Sequence, residues 1–191
     1  MYTGQHHLRL MRSAEAIRRE TRHSLDLHIL SAGYGLISGA HAVAPYDCTF
    51  AGMGKAELRD WAAHLSIPAV ARRMLSHPFD LGLVLLSNEY LAACQLPPDL
   101  SPGGATLFFS SASAAKALWR LSEARVVPLG NTEASRFSCP LVSLKGELGG
   151  RILSLLVQTN TAQETDELKD RLFDPSVNIY SMLDTFSAIR S

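Results

Sequence analysis

The sequence predicts an α/β fold, with a short, mainly parallel sheet of about four strands and helices on both faces. Apolar runs of strand length alternate along the chain with segments whose apolar residues recur at helical spacing, which is the pattern of parallel strands joined by helices. The run at 81–86, LGLVLL, has no polar alternation, as expected for a central parallel strand covered on both faces. We therefore expect a single α/β domain over residues 1–191, with a possible helical C-terminal extension at 160–191.

Composition favours a folded, cytoplasmic protein. Because 47% of the 191 residues are hydrophobic and only 19% are charged, most of the chain has enough apolar surface to form a core. No apolar run approaches the roughly 18 residues that cross a bilayer, and the first residues lack the apolar region of a secretory signal. Three widely spaced cysteines suit a reducing compartment. The net charge is zero, so composition alone gives no sign of a nucleic-acid surface.

The first half of the chain is predicted to hold three helices and two strands. In order, these are a helix at 8–22, a strand at 25–30, a long loop to residue 53, helices at 55–65 and 69–75, and a strand at 81–86. Pro68 is placed where the first turn of a helix tolerates proline. In the helix at 55–65, helical spacing predicts that Trp61 faces inward with Leu58. The loop is too long for a plain connector, which is typical of functional loops.

The second half continues the same alternation. In order, the pattern predicts a helix at 89–94, a surface loop at 95–104, a strand at 105–109, a helix at 113–121, a strand at 125–129, a polar connection at 130–138, helices at 145–158 and 162–172, and a terminal helix. Gly149 and Gly150 lie in the first turns of the helix at 145–158, where each glycine costs about 1 kcal/mol relative to alanine.

Polar and aromatic residues follow two of the predicted strands. Ser31 and Tyr34 come after the strand at 25–30, and Asn88 and Tyr90 come after the strand at 81–86. Because ligands bind α/β sheets at the carboxyl ends of the strands, we expect the two groups to face one cleft. Asn88 has a second interpretation as the N-terminal cap of the helix at 89–94, and one residue can serve both purposes.

The stretch that holds these loop residues resembles a known family. The pattern Ile29-Leu30-Ser31-x-x-Tyr34-Gly35-Leu36-Ile37, followed by Pro45-Tyr46, is similar to the signature of the YaaA-like proteins, which are peroxide-stress proteins and shorter relatives of unassigned function. The segment 143–151, SLKGELGGR, is similar to a later Lys-x-x-x-Gly-type segment of that family. Relatives usually begin with one further strand, so the resemblance implies that the sheet here lacks the usual first strand.

The resemblance implies a nucleic-acid-associated protein that binds DNA through a cleft at the strand ends. In that interpretation Tyr34 and Tyr46 would stack on bases, at about 1 to 3 kcal/mol per base. Arg136, Lys145 and Arg151 would meet phosphates. The DNA-binding interpretation is the one we favour from sequence, although the neutral composition does not add to it.

Two alternatives remain open. Some YaaA-like relatives occur with 7-deazaguanine DNA modification, which implies an enzyme acting on a nucleobase or nucleoside. Tyr46 would then hold the base, Asp47 would act as general acid or base, and Cys48 would attack a nitrile or similar carbon. The other alternative is a non-catalytic subunit of a larger assembly or a homo-oligomer, in which the two tyrosines are packed aromatics and Asp47 forms an Asx-turn or a helix cap.

Complete catalytic, metal and nucleotide motifs are missing from the sequence. It has no Gly-x-Ser-x-Gly elbow, no His-Glu-x-x-His, no Cys-x-x-Cys and no glycine-rich phosphate loop. Whether the protein is an enzyme therefore stays undecided at this level, and neither a metal nor a cofactor is expected.

Overall fold

A computed structural model describes residues 5–19, 22–118, 121 and 123–185, and for residues 5–9, 116 and 117 it describes the backbone alone. The described chain divides into two compact units. We call residues 26–128 the first unit, and we call the described residues before 26 and after 128 the second unit.

The described residues form nine α-helices and five strands. They are α1 (Gln5–Arg19), β1 (His28–Ser31), β2 (Gly35–Ser38), α2 (Lys55–His64), α3 (Ile67–Ser76), β3 (Leu81–Val84), α4 (Asn88–Ala93), β4 (Ala105–Ser110), α5 (Ala112–Leu118), β5 (Ala124–Pro128), α6 (Asn131–Arg136), α7 (Leu141–Gln158), α8 (Ala162–Phe173) and α9 (Ile179–Asp184).

The predicted α/β class is confirmed, with a short parallel sheet as its main sheet. That sheet has the order β3-β4-β5, and Val84 pairs with Phe108, which in turn pairs with Val126. The central strand is therefore β4, in which residues 106–110 are all buried. The prediction that the run at 81–86 is a central strand is wrong, because β3 is at the edge of the three strands and its residues are only half-buried.

A second difference concerns the predicted loop at 31–53. Its first part is β2, which pairs antiparallel with β1 in a separate two-stranded sheet. The sequence interpretation missed β2 because four residues, GLIS, are too short a run for alternation to be recognised. The strand at 25–30 also starts later than predicted, at His28.

The core of the first unit has two parts. One lies between the hairpin and helices α2, α3 and α4, and it is centred on Phe50, Ile67 and Ala93. The other covers the Phe108 face of the parallel sheet with side chains from α3, α4 and α5. Pro68 lies in the first turn of α3, as predicted. The packing fixes the hairpin on a helical layer, and this layer positions the loop described below.

The second unit is helical and uses both ends of the described chain. Helix α1 packs along α7, and the hydroxyls of Ser13 and Ser154 are 3.1 Å apart between them. Helix α7 begins at Leu141, four residues before its prediction, and Gly149 and Gly150 are buried within it. Packing of this long helix therefore offsets the low helical propensity of the glycines.

Several predicted boundaries shift in the helical segments. Residues 20 and 21 of the predicted helix at 8–22, and residues 119 and 120 of the one at 113–121, lie outside the described residues. The polar connection predicted at 130–138 contains helix α6, because the carboxylate of Glu133 accepts the backbone N–H of Gly130 at 2.8 Å and starts the helix.

None of the helices in the described part of the chain is both long enough and apolar enough to cross a lipid bilayer.

Candidate functional site

The hairpin loop between β1 and β2 is built from a serine and a glycine. Ser31 pairs with Gly35, so three residues, 32–34, connect the strands. Such loops normally close with a residue in the left-handed region, and Gly35 has φ +76°. The hydroxyl of Ser31 accepts the backbone N–H groups of Gly33 and Tyr34, each at 3.2 Å. The Ser-x-x-Tyr-Gly pattern therefore has a direct conformational explanation.

Gly35 is required for a second reason. A Cβ at this position would lie 2.9 Å from the carbonyl oxygen of Leu65, which is backbone and cannot move aside. The hairpin thus approaches the junction between α2 and α3 more closely than any side chain would allow.

Tyr46 closes over this loop. The hydroxyl of Ser31 donates a hydrogen bond to the Tyr46 hydroxyl at 2.7 Å, and Ser31 itself is 1% exposed. The Tyr46 ring lies against Gly33, where an added Cβ would come within 2.7 Å of Tyr46 Cδ2. Gly33 therefore makes the room that the ring occupies.

Tyr34 and Tyr46 form an edge-to-face pair. Their ring centroids are 5.3 Å apart, and the ring planes meet at 76°. The Tyr34 hydroxyl donates to the carbonyl of Ala44 at 3.3 Å and accepts the N–H of the same residue at 3.2 Å. Both tyrosines are nevertheless more than a third exposed. The rings are held at their hydroxyls while part of each ring stays open to solvent.

Trp61 reaches the same loop from α2. Its indole N–H donates to the carbonyl of Ala32 at 2.8 Å, and its ring stacks on His64 with centroids 5.3 Å apart and planes at 27°. The prediction that Trp61 faces inward is wrong, since 37% of it is exposed. An indole N–H usually needs a partner, and this requirement was the available signal that Trp61 lies at the edge of the core. We call Tyr34, Tyr46 and Trp61 the aromatic cluster.

Asp47 and Cys48 continue the chain beyond Tyr46. Asp47 is exposed, and its side chain makes no hydrogen bond or ion pair with any described residue. Cys48 is half-buried against the hairpin core, and its thiol donates to the carbonyl of Ala32 at 3.5 Å. The carbonyl of Ala32 therefore accepts hydrogen bonds from both Trp61 and Cys48.

Asn88 and Tyr90 have other partners. The side-chain oxygen of Asn88 accepts the hydroxyl of Ser111 at 3.1 Å, and the Tyr90 ring packs edge-on against Phe50 with centroids 4.9 Å apart. Ser87 occupies the N-cap position of helix α4, although its side chain makes no capping hydrogen bond, so the interpretation of Asn88 as the cap is wrong. The argument that placed both groups at one sheet edge also fails, because β1 belongs to the hairpin and not to the parallel sheet.

The three predicted phosphate contacts lie in the second unit. Arg151 is 8% exposed; its guanidinium bonds to Glu147 at 3.0 Å and to the carbonyl of Leu183 at 2.9 Å, and it lies 4.8 Å from the centre of the Phe137 ring. Such burial and pairing describe a structural cation.

The other two predicted phosphate contacts, Arg136 and Lys145, also interact with groups of the protein. Arg136 pairs with the carboxylate of Asp184 and donates to the hydroxyl of Ser181 at 3.0 Å. Lys145 is half-buried and interacts with the protein. A role for any of the three in binding phosphate stays a prediction.

The three cysteines are free thiols in different surroundings. Burial raises the pKa of the Cys94 thiol to about 12, so this sulfur stays protonated and unreactive near neutral pH. Cys139 is buried too, whereas Cys48 is only half-buried. Within the described ranges, no three histidine, cysteine, aspartate or glutamate side chains are grouped so that they could hold a metal ion.

The fold and the site define an α/β protein that carries an exposed aromatic cluster around a hairpin loop. Residues 1–97 match the model of a family described as "Family of unknown function (DUF6884)", and these residues include the whole cluster. The match covers just over half of the 191 residues, and the chain belongs to this family. No curated protein and no solved structure matches the chain significantly.

Proposed function

We propose that the protein binds a nucleobase of single-stranded DNA on Tyr34 and Tyr46 of the aromatic cluster. The observation that carries the proposal is the pair formed by Tyr34 and Tyr46, whose rings are anchored at their hydroxyls and are each more than a third exposed. Anchored rings lose little conformational entropy when a ligand stacks on them, and every base offers an aromatic face.

The state of the hydroxyls supports stacking over base-specific recognition. Tyr46 is bonded to Ser31 and Tyr34 is bonded to the backbone of Ala44, so both hydroxyls are already occupied. What the pair offers to a ligand is therefore mainly its apolar faces and edges. Bases in a duplex are already stacked and paired, whereas bases in a single strand are free to stack on protein rings. The resemblance to the YaaA-like proteins also supports a DNA ligand.

Charge supports a binding mode with few phosphate contacts. The chain is neutral overall, and Arg136 and Arg151 are paired with protein groups. Affinity for DNA depends steeply on salt only when several phosphates are neutralised. We therefore expect modest affinity with a shallow salt dependence. The free cysteines favour a reducing compartment, and we place the protein in the cytoplasm.

Fluorescence anisotropy with a labelled oligothymidylate tests the proposal. Tyr34→Ala and Tyr46→Ala should each weaken binding about 5- to 150-fold, which corresponds to the loss of one stacked base. Tyr34→Phe keeps the ring and should weaken binding less than Tyr34→Ala. Val142→Ala is the matched control, because Val142 is 77% exposed in the second unit. The proposal would be contradicted if the wild-type protein showed no detectable binding, or if all four variants bound equally well.

A second candidate function is an enzyme that acts on a modified nucleobase. It is favoured by Asp47, an exposed carboxylate next to Tyr46 that no described residue engages. Here the carboxylate would act as general acid or base on a base stacked against Tyr46. Asp47→Asn should then abolish turnover of a 7-deazaguanine nucleoside without lowering the melting temperature. If Asp47→Asn leaves turnover and oligothymidylate binding both unchanged, Asp47 has no part in the site.

A further inference from the structure

We propose that Trp61 holds a second base, so that the site takes two nearby nucleotides of a single strand and not one isolated nucleobase. The proposal rests on the proposed function, because it extends the base-binding site formed by Tyr34 and Tyr46. It assigns to helix α2 a specificity-determining residue that selects an oligonucleotide over a mononucleotide.

Trp61 has the exposure and the fixation that a stacking residue needs. It is as exposed as the two tyrosines, 37% against 37% and 38%. Its indole N–H is held by the Ala32 carbonyl at 2.8 Å, and His64 stacks on the ring. The ring is therefore anchored at its polar atom, as the tyrosines are, and His64 restricts its rotation.

The distance from Trp61 to the tyrosine pair suits a short stretch of single strand. Trp61 contacts Ala32 and the Tyr46 ring contacts Gly33, which is the next residue of the same loop. Peptide geometry then limits the separation between the indole nitrogen and Tyr46 Cδ2 to about 10 Å. Consecutive stacked bases in a strand are about 3.4 Å apart along the axis and farther apart when the strand is extended. Two nearby nucleotides can therefore reach the two ring systems.

The packing of α2 shows that the exposure of Trp61 is a property of the fold. Leu58 and Ala62 are the buried residues of this helix, while Trp61 lies at the edge of that buried face. The indole could have donated to solvent, but it reaches back to the hairpin loop. The Ala32 carbonyl thus ties the tryptophan to the loop that carries Tyr34 and that the Tyr46 ring packs against.

Titration of thymidine monophosphate and of a thymidylate tetranucleotide into matched variants tests the inference. Trp61→Ala should weaken binding of the tetranucleotide at least 5-fold and leave binding of the monophosphate unchanged, because only the longer ligand reaches both ring systems. Tyr46→Ala should weaken both ligands. Trp61→Phe keeps a flat ring and should retain most of the affinity for the tetranucleotide, which keeps the test valid if Trp61→Ala is unstable.

Failure of the inference and failure of the proposed function give different results. If Tyr46→Ala weakens both ligands but Trp61→Ala and Trp61→Phe change neither, the base site exists and Trp61 has no part in it. If the wild-type protein binds neither ligand, both proposals are wrong. If Trp61→Ala abolishes self-association measured by analytical ultracentrifugation while nucleotide binding stays unchanged, Trp61 belongs to a protein interface, and the inference is overturned.

Discussion

Ser31 and Tyr46 are separated by 15 residues in the chain and joined by a 2.7 Å hydrogen bond between their hydroxyls. The bond ties the segment around Pro45 to the hairpin loop. Ser31 donates to Tyr46 while it accepts two backbone N–H groups of the loop, so one buried hydroxyl serves three partners.

Replacing this serine should loosen both the loop and the ring. Ser31→Ala removes the hydroxyl that bonds to two backbone N–H groups and to Tyr46, and we expect a loss of about 1 to 3 kcal/mol in the free energy of unfolding. Urea denaturation followed by circular dichroism measures the change. Ser38→Ala is the control, because Ser38 is exposed and its hydroxyl accepts the N–H of Ala40. Equal stability of the two variants would contradict this role for Ser31.

Alanine substitutions at two glycines with positive φ distinguish the cost of backbone strain from the cost of a steric clash. Gly35 has φ +76° and faces the Leu65 carbonyl at 2.9 Å from an added Cβ, whereas Gly52 has φ +88° and open space around it. Gly52→Ala should cost about 1 kcal/mol through φ alone, and Gly35→Ala should cost clearly more. Thermal unfolding of the two variants measures the difference. A Gly35→Ala protein as stable as Gly52→Ala would show that the hairpin can move away from Leu65.

The Arg151 pair offers a test of a structural against a binding role. Arg151→Ala removes the guanidinium that pairs with the Glu147 carboxylate, which is only 13% exposed, and we expect a loss of about 3 to 5 kcal/mol in stability. Arg59→Ala removes an exposed pair with Asp60 and should cost no more than about 1 kcal/mol. Denaturant titration of both variants is the measurement. If Arg151→Ala keeps full stability but lowers the salt dependence of DNA binding, Arg151 meets phosphate.

Cys94 makes a defined contribution to the dependence of stability on alkaline pH. Its pKa is about 12 in the folded protein because burial disfavours the thiolate, and its ordinary value is 9.0. The folded state therefore holds the proton more tightly, so the stabilisation is complete below pH 9 and is lost as the pH rises towards 12. Cys94→Ala should flatten this part of the stability curve relative to wild type. Parallel curves for the two proteins would contradict the buried, protonated thiol.

The sequence predicted most of the elements, because the apolar residues of helices such as α1 and α3 recur at helical spacing and β4 contains the apolar run Leu-Phe-Phe at 107–109. It could not predict which strand lies at the centre of the sheet. Val84 and Leu86 of the run at 81–86 pack against the core that α3, α4 and α5 cover, so an edge strand can also be apolar. Strand order itself depends on long-range pairing, which the periodicity of the sequence does not encode. Helix α6 is not predicted for a local reason, since five of its six residues are polar and such a short polar segment resembles a loop.

The candidate site was predicted in part. The convergence of Ser31, Tyr34 and Tyr46 follows from the loop pattern, and the structure brings these three together. The prediction that Asn88 and Tyr90 share the cleft with Ser31 and Tyr34 assumes that β1 belongs to the parallel sheet, and this assumption is wrong. Helical spacing alone places Trp61 in the core, and this prediction is wrong because spacing gives a direction on the helix but not where the core ends.

The second unit is assembled from segments at opposite ends of the chain, with α1 lying along α7. During synthesis on the ribosome, more than a hundred residues are added after α1 before its packing partner α7 is made. The intervening unit can complete its own core in that interval. We therefore expect nascent chains arrested just after β5 to protect the hairpin from protease while α1 is still cleaved.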